Sequence, residues 1–506
     1  MRNIRWMKSA VVVGAFEVAL TAVAPVANAA PLGPPPPPPF PPSPTAPCNA
    51  ISPFAVPCIA LNKGANAVSF ECRRVGVPDR KCVIPLGFRV TQAARDAYLQ
   101  SWVHQTAQFQ YALADPLPLV DAQWLGTHNS FNSLNEGFTV SHFDSNQQLS
   151  LTQLLDVDMR SLELDLHYIR QLRLFGKHAV TVCHGQGPEV GNLGCTTEPL
   201  FSEVLPKIAT WLNAPGHTDE VVMLYLEDNL DDTAAYASTI ATLDRVLQRP
   251  DGSSLIFHPD PVGRSADGCV PLPLQLSRDD VRASGARVVL VGSCARGWST
   301  DVFEWSSVHV EGGSTSAYQP YPACDATYSP TVYASKLVRY FEDSTLVSVL
   351  AENPTRPPVD PEALTPPKVQ AMTNCGVNLF GFDQLLPDDG RIQASLWSWA
   401  PDEPRPGAGT CTLQRADSRW VAAPCGDSYH AACLSSADTW TVTPIPTTFA
   451  AAPLACSVIG AEFALPRTGL QNAHLHAAAG PAGGAWVRYA VGDPLDSAYP
   501  SDPQPQ

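Results

Sequence analysis

Between Asp121 and Trp399, short apolar runs of strand length recur with helical or loop segments between them. They fall at residues 123–125, 161–166, 179–183, 221–226, 287–291 and 377–382, with helical patterns such as 152–155 and 199–212 in the gaps. Strands that alternate with helices predict an α/β fold with a parallel sheet, and this number over this length fits a TIM-like β/α barrel. An open doubly wound sheet is the competing arrangement, but no glycine-rich dinucleotide fingerprint follows the first run. In a barrel, polar residues at strand carboxyl ends line one mouth. His128, Glu163 with Asp165, His184, Glu227 and Asp383 all occupy such places.

The flanking segments have other characters. Residues 1–29 carry Arg2, Arg5 and Lys8 before an apolar stretch and an Ala27-Asn28-Ala29 cleavage site, which predicts a secretory signal. Residues 30–47 form a proline-rich linker with an unbroken run from Pro34 to Pro39. A cysteine-containing lead-in follows at 48–115, and its helix is predicted to start at Thr91 and run through Leu113, with Ala94, Tyr98, Trp102 and Phe109 near the helical period. The barrel is expected at 116–400, a small C-terminal α+β domain at 401–492 and a disordered tail at 493–506. The 14 cysteines are an even number, which in a secreted chain predicts disulfides. No C-x2-C pair supports metal binding by them, and pairing of sequential neighbours is the simplest of several connectivities. A net charge of -16 excludes a nucleic-acid binder, which needs a basic footprint.

Glu163 and Asp165 are two apart on one strand, so they share a face, and such a pair calls for a cation or a proton. Glu227 adds a third carboxylate and Asn129 a neutral oxygen. That all-oxygen set suits Ca2+ better than zinc. The structural alternative is ion pairing of the two carboxylates with Arg160 or Arg170. His128 and His184, each opening a loop after a strand, suit proton transfer near neutral pH. Ser130 lacks the G-x-S-x-G elbow of a serine nucleophile. A metal with two histidines and no evident nucleophile points to phosphodiester cleavage.

The run Gly126-Thr127-His128-Asn129-Ser130, then 153–165 ending in Glu163-Leu164-Asp165, then Cys183-His184-Gly185, then Leu224-Tyr225-Leu226-Glu227-Asp228-Asn229, resembles the catalytic X region of the phosphatidylinositol-specific phospholipase C-like family. The resemblance implies a distorted barrel in which His128 and His184 act on the phosphodiester. It also implies that Asn129, Glu163, Asp165 and Glu227 hold Ca2+, and that Asp383 orients a histidine. The implied substrate is a phosphatidylinositol-type phospholipid at a membrane surface, cleaved to diacylglycerol and inositol cyclic phosphate. A glycerophosphodiester or sphingophospholipid phosphodiesterase on the same barrel is the alternative enzyme. Residues 397–442, with Cys411, Trp420, Cys425 and Cys433, are similar to the latter half of a C-type lectin domain, and residues 449–489, with Cys456 and Trp486, to its first half, so the halves come in reversed order. That order implies Cys411–Cys425 and Cys433–Cys456 bridges and either glycan binding, as in a non-enzymatic surface protein, or a structural cap.

Overall fold

The structure, a computed structural model, describes residues 92–133, 146–184, 195–196, 198–230, 232–260, 264–295, 297–312, 315, 318–324, 330–342, 364–480 and 484–493. The predicted signal segment, the linker, the lead-in before residue 92 and the predicted tail beyond residue 493 lie outside them. So do Cys48, Cys58, Cys72 and Cys82. No helix among the described residues is long and apolar enough to cross a membrane.

Two helices, α1 (Gln92–Leu99) and α2 (Trp102–Ala114), stand where one helix was expected. The break has a local cause: the Ser101 side chain accepts from His104 N at 3.2 Å and caps α2. Among the described residues nine strands follow: β1 (Gly126–Thr127), β2 (Ser161–Gln171), β3 (Lys177–Val182), β4 (Val222–Asn229), β5 (Val288–Gly292), β6 (Phe303–Glu304), β7 (His309–Glu311), β8 (Leu337–Phe341) and β9 (Leu379–Gly381). One parallel ladder runs β1-β2-β4-β5-β6 and a second β7-β8-β9. Parallel bridges Trp124↔Leu379 and Thr127↔Phe382 join them through β1 and β9. Among the described residues no pairing joins β6 to β7, so the curled ladder has an open seam there.

One expectation fails. The apolar run 179–183 is not a parallel barrel strand: β3 pairs antiparallel with β2, from Leu166↔Val182 to Gln171↔Lys177. Only five residues, 172–176, opening with the 3-10 turn Leu172–Leu174, separate the two strands, too little chain for the crossover that a parallel connection requires.

Alternation along the strands sorts side chains into two cores. Leu162, Leu164, Leu166, Val222, Leu224, Leu226, Val288 and Leu290 belong to an outer layer with Phe201, Val204 and Ile208 of α4 (Phe201–Leu212) and with the residues of α3 (Leu151–Asp156). Met223, Val289 and Val291 face the interior with Trp124, Leu337 and Leu379. Each such fully buried aliphatic side chain contributes about 1.5–3 kcal/mol. Glu163, Asp165 and Glu227 have the parity of the interior set, above this apolar floor. At Gly126 an added Cβ would lie 2.6 Å from Ser161 O and 2.8 Å from Phe380 O, so only glycine lets β1 pass between β2 and β9.

The C-terminal strands β10 (Cys411–Arg415), β11 (Trp420–Ala423), β12 (His430–Leu434), β13 (Trp440–Val442), β14 (Glu462–Phe463) and β15 (Gly484–Ala490) form one further sheet. Helix α5 (Gly469–Ala479) lies beside it. Trp397, Trp399, Trp420, Leu475 and Val487 pack with Leu113 of α2, and Gln110 Oε1 accepts from the Trp397 and Ser398 amides at 2.7 and 3.0 Å. Among the described residues five disulfides, Cys183–Cys195, Cys269–Cys294, Cys324–Cys375, Cys411–Cys425 and Cys433–Cys456, all join sequential neighbours. They fit an oxidising, extracellular setting.

Candidate active site

Strand register assembles the site. In β2 and β4, Glu163 lies beside Tyr225 and Asp165 beside Glu227. The Glu163, Asp165 and Glu227 carboxylates lie with oxygens within 4.8 Å of one another. On the other side of β2, Ser130 N donates to Glu163 O at 3.1 Å and the Glu163 amide donates to Ser130 Oγ at 2.8 Å. These bonds dock the turn after β1 on β2. They also occupy the buried Ser130 hydroxyl, in keeping with its exclusion as a nucleophile. Asn129 adopts φ 44°, a left-handed conformation that Asn tolerates better than most residues. Its side-chain amide lies between the Asp165 carboxylate, 2.8 and 3.1 Å away, and His128 Nε2, 3.2 Å away.

His128 is 8% exposed and its Nδ1 lies 3.4 Å from Asp383 Oδ1. Asp383 is held in turn: Asn146 donates to Oδ2 at 3.0 Å, Gln147 to Oδ1 at 3.2 Å, and the Asp383 amide donates to Glu342 Oε2 at 3.0 Å. Gln147 also donates to the His128 carbonyl at 2.6 Å. The imidazole packs on Phe341, ring centroids 5.0 Å apart. Burial works against the imidazolium, but the Asp383 and Glu163 carboxylates outweigh it and raise the His128 pKa to about 9.

Burial, Glu227 and Glu163 push the Asp165 carboxyl well above the usual range, and burial and Glu163 likewise raise Glu227. Glu163 has a counter-ion that sequence reasoning missed. Arg339 of β8 donates to Glu163 Oε2 and to Glu311 Oε1, the latter at 3.1 Å, with its guanidinium 4.6 Å from the Phe341 ring centroid. The only sequence sign of it was a charge inside the apolar run Leu337-Val338-Arg339-Tyr340-Phe341. Arg160, the expected structural partner, instead forms a bidentate pair with Glu220 at 2.8 Å.

The donor set fits a hard divalent cation. One guanidinium answers one of three clustered carboxylates, and the elevated proton affinity of the other two marks charge that burial leaves under-compensated. Asp165, Glu227 and Asn129 carry suitable oxygens, and Glu163 would share itself between Arg339 and the ion. The second group of potential ligands, His167 with Cys183 and Cys195, is not a metal site because its cysteines form a disulfide.

His184 reaches the same rim by the returning arm of the β2/β3 hairpin. Cys183 N donates to Asp165 O at 3.2 Å, and the Cys183–Cys195 bridge fixes the residue beside His184. Lys177 is exposed at the far end of that hairpin, and Tyr318 packs on Tyr340.

A family model described as the Rv2075c PI-PLC-like domain matches residues 83–389. Two Mycobacterium tuberculosis proteins, uncharacterized protein Rv2075c of strain H37Rv and uncharacterized protein MT2135 of strain CDC 1551, are each 67% identical over 491 residues, 97% of this chain and 100% of theirs. Among solved structures, the phosphatidylinositol-specific phospholipase C of Listeria monocytogenes aligns over 57% of this chain and 97% of its own, with 16% identity and a TM-score of 0.37. A calcium-dependent phosphoinositol-specific phospholipase C from a Pseudomonas species aligns over 53% and 91%, with 14% identity and a TM-score of 0.30. Because the family model spans more than half of the chain, and the tuberculosis proteins match nearly all of it, the chain belongs to the Rv2075c PI-PLC-like family.

Proposed function

We propose that this chain is a secreted, calcium-dependent phosphodiesterase of the phospholipase C type, acting on phosphatidylinositol-type phospholipid. One observation carries the reading: a histidine backed by a carboxylate faces a cluster of three carboxylates at the carboxyl ends of parallel strands. In this reading His128, oriented by Asp383, exchanges a proton at Nε2 with the attacking hydroxyl of the substrate. His184 protonates the leaving oxygen. Asn129, Glu163, Asp165 and Glu227 hold Ca2+, which supplies charge stabilisation for the phosphate oxygens. Phe341 covers the imidazole and limits water on that side.

The test is a phospholipid panel assayed with and without chelator. Phosphatidylinositol should yield diacylglycerol and inositol cyclic phosphate, with chelator lowering the rate at least about tenfold. Release of glycerol or choline instead would move the substrate to another phosphodiester. Glycan binding by the C-terminal domain, proposed from its lectin resemblance, gains little support from Glu403 of Glu403-Pro404-Arg405, a weak copy of a carbohydrate-coordinating loop. This buried carboxylate accepts from the Arg405 and Ala422 amides at 2.9 and 3.2 Å, so its oxygens serve the fold.

A metal prediction follows from the carboxylate shifts. Asp165 and Glu227 bind protons more tightly folded than unfolded, so the stability they add is present at low pH and lost as pH rises through their raised pKa values. In chelator the protein should therefore be less stable at neutral than at mildly acidic pH, and Ca2+ should restore melting temperature at neutral pH. Glu227→Gln should raise the neutral melting temperature in chelator and shrink the Ca2+ response. An undiminished response in that variant would remove Glu227 from the ligand set.

A further inference from the structure

Beyond Asp165, β2 continues for six residues to Gln171, about 20 Å of chain, and past His167↔Asn229 its described neighbours are β3 and residues 195–196. The hairpin is stiff. Gln171 donates to Cys195 O at 2.9 Å, Leu172 N donates to Thr196 O at 3.1 Å, and the Cys183–Cys195 disulfide closes its base against Ile169. Its tip carries exposed apolar side chains, with Leu172 68% and Phe175 99% exposed. Phe175 also sits at φ 53°, a left-handed conformation unfavourable for an aromatic residue, so neither packing nor turn geometry accounts for it. Along the hairpin itself the charge is of one sign. Residues 166–184 include Arg170, Arg173 and Lys177 and no Asp or Glu, in a chain of net charge -16. Arg170 and Lys177 are exposed.

We infer that the β2/β3 hairpin is a membrane-docking finger, which inserts Phe175 and Leu172 among the acyl chains of an anionic phospholipid surface while its cations meet the headgroups. Apolar residues at a rigid tip with a basic collar combine the two attractions that hold a peripheral protein on such a surface. Because β2 also carries Glu163 and Asp165, docking the finger turns the mouth with its carboxylates toward the bilayer. The inference rests on the phospholipid reading for its purpose, but vesicle binding is measurable without turnover.

The experiment is co-flotation of the full chain, in chelator, with phosphatidylcholine vesicles with or without phosphatidylglycerol, containing no inositol lipid. Wild type should bind the anionic vesicles in preference to the neutral ones. Leu172→Ser/Phe175→Asn should lose at least about tenfold in partitioning, since each apolar side chain removed gives up its transfer free energy. Asn accepts the left-handed position, so the melting temperature should not fall. With a water-soluble phosphodiester that the enzyme cleaves, the double variant should turn over as wild type. Absence of wild-type binding, equal binding by the variant, or a tip that instead mediates self-association would overturn the proposal. Loss of activity on inositol lipid with binding intact would count against the substrate reading alone.

Discussion

In His128→Ala, turnover of the phosphodiester substrate is expected to fall by about 10²- to 10⁴-fold, the range general acid–base catalysis supplies. The same substitution carries a pH-dependent stability signature. With its pKa raised to about 9, folded His128 binds its proton more tightly than the unfolded chain does. The stability gained is complete below about pH 6.5, the unfolded value, and is lost as pH rises through 9. In chelator, His128→Ala should cost on the order of 3 kcal/mol near pH 6, the proton-linked stability between an ordinary pKa of 6.5 and one of about 9, and much less near pH 10. Asp383→Asn separates positioning from mere packing. The imidazole pKa, followed by NMR titration of its ring protons, should drop from about 9 toward the ordinary histidine value. An unmoved titration would mean that Asp383 does not act on His128.

Glu163 and Asp165 were legible because strand parity alone puts them on one face. Glu227 and Asn129 followed from their positions at the ends of apolar runs, and Asp383 from Gly381-Phe382-Asp383 late in the chain. Disulfides that close short loops, such as Cys183–Cys195, were legible as sequential neighbours. What stayed hidden depends on distance along the chain or on context. The run 179–183 has the apolarity of a barrel strand, and only the brevity of the connection at 172–176 decides that it pairs antiparallel. Arg339 meets Glu163 across 176 positions of sequence, so no local pattern could join them. Asn146 and Gln147, which hold Asp383, are unremarkable amides until the fold brings them within 3.2 Å of it. The acidity of the whole chain also concealed the local run of cations on the β2/β3 hairpin.

Arg391→Ala is expected to be the most destabilising of the substitutions considered, at about 3–5 kcal/mol, the range for breaking a buried ion pair from one side. Arg391 opens the short helix Gly390–Ser395 yet is only 2% exposed. Its guanidinium bonds to Glu342 and Asp389, donates to Asp383 O at 2.8 Å and lies 5.4 Å from the Phe382 ring centroid. Glu342 is fully buried and accepts from the Leu364 amide at 2.6 Å and the Asp383 amide at 3.0 Å. Removing the arginine takes away charge compensation where water cannot replace it, and frees the backbone that aims Asp383 at His128. Denaturant unfolding should show the stability loss, and the imidazole titration should shift with it because Asp383 is displaced. Arg391→Met/Glu342→Gln should recover a substantial part of the stability, since the buried charge is gone from both sides. Recovery of stability without recovery of the His128 titration would assign Arg391 a positioning role as well. A cost below about 1 kcal/mol for Arg391→Ala, the level of an exposed pair, would show that solvent reaches this interior and that Asp383 is held by other means.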